Sequence, residues 1–172
     1  MIRSFQGKLP RVHETAFVAD TADVIGDVEI GEQSSVWFQT VVRGDVNHIR
    51  IGSRTNIQDG TVIHVDSGGY PVEIADHVTL GHAVRLHGAR IGPHCLIGIG
   101  AIVLNGVVME EESIVAAGSV VSPDTHIPRR TLMMGAPAKP RRALSDADLG
   151  LIHRPTKNYV RLAGQYREGA PG

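Results

Sequence analysis

The sequence predicts an all-β solenoid, because aliphatic anchor residues recur at every sixth position along most of the chain. An amphipathic helix would repeat its apolar residues every 3.6 positions and a half-buried strand every two, so neither explains this period. A small or β-branched residue stands four positions after most anchors, and glycine often follows the anchor directly. These features are typical of a hexapeptide-repeat parallel β-helix. The anchors are Val18, Val24, Ile30, Val36, Val42, Ile51, Ile57, Ile63, Ile74, Leu80, Leu86, Ile91, Ile97, Val103, Met109, Val115 and Val121.

Each hexad is expected to form one short strand and one tight corner, and three hexads close one triangular coil. The anchor and the small residue then point inward and fill a narrow prism, and glycine tolerates the positive φ that corners often require. Composition agrees, because the 172 residues include 20 Gly but only one Trp, three Tyr and three Phe. We therefore expect one domain with a thin aliphatic core over residues 1–143, entry and exit segments included.

A helical segment is predicted over residues 144–168, after the hexads stop and a Pro-rich exit ends with GAPAKPRR. Ser145 and Asp148 have the spacing of a capping box, with aspartate where Glu or Gln is usual. The segment is expected to pack along the solenoid through Leu144, Leu149, Ile152, Tyr159, Val160 and Leu162.

Pro155 stands inside this helical pattern and should end or kink the helix. Two helical pieces are therefore predicted, over residues 145–154 and 155–166. Residues 169–172 are expected to form a frayed tail.

Charge and apolar patterning exclude several classes of partner. Seventeen Lys and Arg against 18 Asp and Glu give a net charge of −1, without the basic run that a nucleic-acid partner requires. Apolar runs fall short of a membrane span, and the first residues lack the apolar centre of a signal peptide, so a cytoplasmic location is expected. Cys95 is the single cysteine and falls where the repeat places a small inward residue, which predicts a core role.

Three histidines are the candidate metal ligands. Ile63 and Leu86 lie 23 residues apart, one 18-residue coil plus a five-residue insertion assigned to Asp66–Tyr70. His64 and His87 directly follow these anchors, so they should stack on one edge of adjacent coils, close enough to share an ion. His82 stands two residues after its anchor and should lie on the neighbouring side of the prism.

A second subunit placed by a threefold axis can bring its own His82 to the first subunit's His64 and His87. This arrangement predicts a homotrimer with three equivalent metal sites at its interfaces. Three neutral imidazoles and an open position suit catalytic Zn²⁺, with Fe²⁺ and Co²⁺ as alternatives.

The chain resembles the γ-class carbonic anhydrases and their bacterial relatives over nearly its whole length. The motifs that carry the resemblance are Arg43-Gly44-Asp45, Asn56-Ile57-Gln58-Asp59-Gly60, Val62-Ile63-His64, Gly81-His82 and Leu86-His87-Gly88. The resemblance implies a left-handed β-helix and hydration of carbon dioxide to bicarbonate. It also implies that His64, His82 and His87 bind the metal, two from one subunit and one from the next.

The resemblance further implies roles for the polar residues around these histidines. Gln58 would hydrogen-bond the metal-bound hydroxide or the substrate, and Asn56 would support the polar pocket. Arg43, Asp45 and Asp59 would form ion pairs between subunits. Tyr159 would approach the site from the terminal helix.

The sequence departs from the family pattern at the position after the Arg-Gly-Asp motif, where Val46 replaces a glutamate, and at the short Asp66–Tyr70 loop, which replaces an acidic loop. Both changes predict slow proton release, with Asp66 and Tyr159 as the remaining candidates for a relay.

Other interpretations of the same chain remain open. Hexapeptide acyltransferases share the fold and use one histidine without a metal, whereas a thioesterase could use a metal-activated water on CoA thioesters. A metal-stabilised structural protein with little activity is the third alternative. Arg43, Asp45 and Asp59 are then structural salt bridges, and Gln58 an interface hydrogen-bonder. The other histidines are interpreted as surface residues or hydrogen-bonded bystanders: His13, His48, His77, His94, His126 and His153.

Overall fold

The computed structural model describes residues 1–169, which form a parallel β-solenoid of about seven turns with one C-terminal helix. The elements, in chain order, are β1 (Ile2–Arg3), β2 (Arg11–Val12), β3 (Phe17–Val18), β4 (Asp23–Ile30), β5 (Ser35–Val36), β6 (Val41–Ile51), β7 (Asn56–Ile57), β8 (Val62–His64), β9 (Val72–Ile74), β10 (Thr79–Leu80), β11 (Arg85–His87), β12 (Arg90–Ile91), β13 (Leu96–Ile97), β14 (Ile102–Val103), β15 (Val108–Met109), β16 (Ile114–Val115), β17 (Val120–Val121), β18 (His126–Ile127), β19 (Thr131–Gly135), β20 (Ala138–Ala143) and α1 (Asp146–Glu168).

Successive coils stack in parallel register, anchor on anchor. Val42 pairs with Ile63, Ile63 with Leu86, Leu86 with Val103 and Val103 with Val121. All five side chains are buried, because each points into the prism. The predicted hexapeptide solenoid is confirmed and matches a left-handed β-helix.

The three faces of the prism belong to two sheets. A 12-stranded sheet covers two faces, because the long strand β6 pairs with β8 through Val41–Arg43 and with β9 through Ile49–Ile51. An eight-stranded sheet of β3, β5, β7, β10, β13, β16, β19 and β20 forms the third face. Residues from β8 and β11 therefore lie on a different face from residues that follow β7 and β10.

Glycine follows the anchors for a reason other than the expected one. Gly98 does not have a positive φ, but a Cβ there would lie 2.5 Å from the backbone nitrogen of Ala117 on the next coil. Several corners that do have a positive φ carry other residues, and one edge of the prism stacks Gln33, Arg54, His77, His94, Glu112 and Arg130. The glycines thus permit close approach of coils, whereas these corners tolerate side chains.

The C-terminal segment is one helix, so the predicted break at Pro155 is wrong. Proline removes the donor for the carbonyl of Leu151, but that residue is exposed and water can satisfy the carbonyl. Ile152 is fully buried against the solenoid, and the Thr156 hydroxyl donates to the carbonyl of His77 at 3.4 Å. These contacts hold both sides of the proline in one continuous helix.

The predicted capping box is confirmed. The Ser145 hydroxyl accepts from the backbone N–H of Asp148, and the Asp148 carboxylate accepts from the backbone N–H of Ser145. Gly169 caps the other end through its N–H to the carbonyl of Gln165 at 3.0 Å. The rest of the predicted tail, 170–172, lies outside the described residues. The division into 1–143 and 144–168 as separate units stays a prediction.

The helix covers the eight-stranded face near the solenoid's first coils through an aromatic cluster of Phe17, Trp37, Phe38, Tyr159 and Tyr166. The core below is aliphatic, and Cys95 lies in it as predicted, with burial raising the pKa of its thiol to about 12. Within residues 1–169, no helix is both long and apolar enough to cross a membrane.

Candidate metal centre

One edge of the 12-stranded sheet carries the paired-histidine half-site, defined by Arg43, Asp45, His64 and His87. The register places His64 beside Arg43 and His87 beside His64 on successive coils, as the spacing predicts. His64 Nδ1 lies 3.0 Å from His87 Nε2, and His64 Nε2 lies 2.9 Å from Asp45 Oδ1. The Arg43 guanidinium forms an ion pair with the same carboxylate.

The protonation of these groups follows from their partners. Burial by itself would raise the pKa of Asp45, but the hydrogen bond from His64 and the charge of Arg43 outweigh burial and lower the pKa overall. The carboxylate therefore accepts hydrogen bonds only, and His64 Nε2 must carry the proton that faces it. On the other ring, His87 Nδ1 donates to Asn105 Oδ1 at 2.5 Å, which leaves a lone pair on Nε2.

The two facing nitrogens fit a bound cation. A neutral His64 with its proton on Nε2 has its lone pair on Nδ1, directed at the lone pair of His87 Nε2. Two lone pairs 3.0 Å apart repel each other unless a proton or a metal ion lies between them. Imidazole binds zinc at about 2.0–2.1 Å, so two nitrogens on a tetrahedral ion lie about 3.3 Å apart.

The single-histidine half-site lies on the other sheet and comprises Asn56, Gln58, Asp59, His82 and Tyr159. His82 Nδ1 lies 2.9 Å from Asp59 Oδ2, and the negative charge of this carboxylate favours the ring proton on Nδ1, with Nε2 as the nitrogen for a ligand. The side chains of His82 and Asp59 are 44% and 40% exposed, so in a single chain this pair faces outward.

Two amides beside His82 are ordered by a chain of hydrogen bonds. Asn56 Nδ2 donates to Thr79 Oγ1 at 2.8 Å, and Asn56 Oδ1 accepts from Gln58 Nε2 at 3.0 Å. Both residues are buried. Because the amide nitrogen of Gln58 donates to Asn56, the Gln58 carbonyl oxygen remains as an acceptor for a further group.

Tyr159 reaches this half-site from α1. Its ring packs edge-on against Trp37 with the ring centroids 5.1 Å apart. Burial raises the pKa of Tyr159, and the nearby negative charge of Asp59 raises it further. The terminal helix therefore brings a tyrosine to the His82 side of the site.

The structure does not bring all three histidines together in one chain. Among residues 1–169, no group of three His, Cys, Asp or Glu side chains is arranged to hold a metal ion. Arg43 pairs with Asp45 and Asp59 pairs with His82 inside the chain. The ion pairs between subunits stay a prediction.

Sequence reasoning missed Asn105, which hydrogen-bonds the ring of His87. Asn105 stands 18 residues after His87, one coil further along the same edge. Counting one coil forward from the histidine would have found it.

Comparison with known proteins first defines the class of protein. A family model described as bacterial transferase hexapeptide, with six repeats, matches residues 88–123. The crystal structure of a hexapeptide transferase family protein from Anaplasma phagocytophilum is 38% identical and superposes with a TM-score of 0.92, covering 96% of this chain and 97% of that one.

Sequence relatives then specify the family. The chain is 44% identical to a carbonic anhydrase from Geobacillus kaustophilus, over 96% of this chain and 90% of the relative. It is 45% identical to the mitochondrial gamma carbonic anhydrase 2 of Arabidopsis thaliana over 91% of this chain, and spans 58% of that relative's length. The chain belongs to the γ-carbonic anhydrase family.

Proposed function

We propose that the chain is the subunit of a homotrimeric, metal-dependent carbonic anhydrase that hydrates carbon dioxide reversibly to bicarbonate. The observation that carries this proposal is the division of the site into two half-sites on different faces, each with a histidine nitrogen free to bind a metal. A threefold ring joins the paired-histidine half-site of each subunit to the single-histidine half-site of the next. A cytoplasmic location belongs to the same proposal.

His64 and His87 of one subunit and His82 of the next would hold Zn²⁺, or alternatively Fe²⁺ or Co²⁺. When bound, such an ion lowers the pKa of a water molecule to about 7 and so supplies a hydroxide nucleophile. All three histidines have their other ring nitrogen beside an oxygen acceptor, a feature that ligating histidines usually show: Asp45 faces His64, Asp59 faces His82 and Asn105 faces His87.

Gln58 orients the nucleophile. Its amide nitrogen donates to Asn56, so its carbonyl oxygen can accept a hydrogen bond from the attacking hydroxyl. This hydrogen bond turns an oxygen lone pair toward the carbon of carbon dioxide, and the new C–O bond gives bicarbonate. Burial of Asn56 and Gln58 keeps both amides in one orientation.

Proton release to solvent is the weak step. Each turnover consumes a hydroxide, so a water molecule must lose one proton to restore it. Val46 is 51% exposed and has no titratable group. The Asp66 carboxylate is already engaged by the N–H of Gly68 at 2.6 Å and the amide of Asn105 at 3.2 Å. A small buffer molecule should therefore carry the proton.

The test measures hydration of carbon dioxide by stopped flow, with protein loaded with zinc, cobalt or iron(II), against imidazole concentration. The rate should rise with imidazole and vanish in His87→Ala. His126→Ala is the matched control, because His126 is an exposed histidine that pairs with Glu110. Absence of hydration with all three metals would overturn the proposal.

Acyl transfer or thioester hydrolysis is the second candidate, because the solved structure at 38% identity is described as a hexapeptide transferase family protein. A metal-stabilised structural role is the third. Acetyl-CoA hydrolysis or transfer without hydration of carbon dioxide would favour the second candidate. A zinc-loaded trimer inactive in both assays would favour the third.

A further inference from the structure

We propose that Asn105, held by Asp66, is a positioning residue that fixes the tautomer and orientation of the His87 ring. The inference rests on the proposed function, because it concerns how His87 is prepared as a ligand. Asn105 follows strand β14 by two residues and lies directly against the imidazole. Its amide oxygen lies 2.5 Å from His87 Nδ1, and its amide nitrogen lies 3.2 Å from Asp66 Oδ2.

The direction of each hydrogen bond, from Asp66 through Asn105 to His87, follows from which atoms are donors and which are acceptors. The Asp66 carboxylate offers acceptors, and its other oxygen receives the N–H of Gly68 at 2.6 Å. Only the amide nitrogen of Asn105 can therefore face Asp66, so the amide oxygen must face His87. An oxygen acceptor beside Nδ1 holds the ring proton there and leaves Nε2 unprotonated.

The backbone around the amide is shaped to admit it. A Cβ on Gly88 would lie 2.8 Å from Asn105 Oδ1 and 2.6 Å from the Cβ of Tyr70. The carbonyl of Asn105 accepts from the N–H of Asp124 on the next coil at 2.8 Å, which fixes its main chain. The amide therefore sits in a slot between stacked coils and the Asp66–Tyr70 loop.

The consequence concerns metal affinity. A ligating imidazole must be neutral with its lone pair on the correct nitrogen, and loss of the group that ensures this typically costs 10- to 100-fold in affinity. Asn105→Ala should therefore weaken zinc binding by roughly 10- to 100-fold while trimer and fold persist. Asp66 acts through Asn105, so its contribution depends on the amide.

The test is a zinc titration against a competing chromophoric chelator, with size-exclusion chromatography to verify the trimer. An exchanged pair, Asp66→Asn with Asn105→Asp, keeps one amide and one carboxylate and still presents an oxygen to His87, so it should recover most of the affinity. Asn47→Ala is the matched control, because Asn47 also donates to the loop, at the carbonyl of Asp66, while its side-chain oxygen accepts from the backbone N–H of His48 and not from the ring of His64 or His87.

Nitrogen NMR of the His87 ring provides the readout that a merely structural role would not move. The Nδ1–H form should dominate in the metal-free wild type and in the exchanged pair, and decline in Asn105→Ala. Zinc affinity unchanged in a folded Asn105→Ala trimer, or lowered equally in Asn47→Ala, would overturn the inference. If the variants differ from the wild type in zinc affinity as expected but the zinc-loaded wild type hydrates no carbon dioxide, the proposed function is wrong and the role of Asn105 stands.

Discussion

Mixed trimers can decide whether the metal site is shared between subunits. His64→Ala removes a ligand from the paired-histidine half-site and keeps His82, whereas His82→Ala removes the opposite ligand and keeps the pair. Separately, each variant lacks one ligand at every site. Together, a His82→Ala subunit followed in the ring by a His64→Ala subunit creates one complete site.

The expected recovery follows from the ring geometry. Every mixed ring of three, whether it holds one or two copies of either variant, contains one junction of the correct order. Purified mixed trimers should therefore retain roughly one third of the wild-type metal content. The measurement uses two affinity tags to isolate mixed trimers, a chelator wash, and metal analysis per chain.

A matched pair of variants provides the control. His64→Ala and His87→Ala both damage the paired-histidine half-site, so no junction in their mixed trimers is complete. Metal content there should stay at the level of the single variants. Recovery in this control, or none in mixed trimers of His64→Ala with His82→Ala, would refute the division of the site between subunits.

Contacts elsewhere in the chain lead to three more expectations. Gln58→Ala should keep trimer and metal but slow hydration, measured by stopped flow, by roughly 10- to 100-fold because the nucleophile loses its orientation. Arg43→Ala should raise the trimer dissociation constant, measured by analytical ultracentrifugation, roughly 30-fold or more if its ion pairs are buried at the interface. A Gln58→Ala variant that dissociates would reverse this assignment of roles. Gly98→Ala should lower the free energy of unfolding, measured by urea denaturation, by about 1–3 kcal/mol because its Cβ meets the backbone of the next coil. Gly164→Ala lies in open space on the helix and should raise the free energy of unfolding by about 0.5–1 kcal/mol. Equal effects of the two substitutions would contradict the close packing of coils at Gly98. Burial first, and then the neighbouring imidazole of His94, lower the pKa of His77 from its usual 6.5, so the unfolded chain binds the proton first and stability should fall as pH drops through 6.5 toward the lowered folded-state pKa. Urea denaturation at pH 8 and pH 5 measures this fall. In His77→Asn, where asparagine tolerates the positive φ of the corner, the loss of stability between pH 8 and pH 5 should be smaller.

The sequence by itself determined the solenoid and the stacking of its functional edge. A repeat of six residues sets the coil length, so counting along the chain places His87 on His64 and His64 on Arg43. The helix start was equally local, because the capping box at Ser145 needs only residues three apart. Features that depend on period or on short spacing are encoded in the order of residues alone.

Only the tertiary structure decided how side chains on different coils choose their partners. Pro155 continues in one helix because the buried face of that helix is held against the solenoid, and this stabilisation is invisible to local propensity. Asp59 contacts His82, and Asn105 contacts His87, because stacking brings residues 18 to 23 positions apart within hydrogen-bond distance. The sequence specifies which coil a residue occupies, whereas the choice among several polar neighbours depends on side-chain direction and on which donors and acceptors are already engaged.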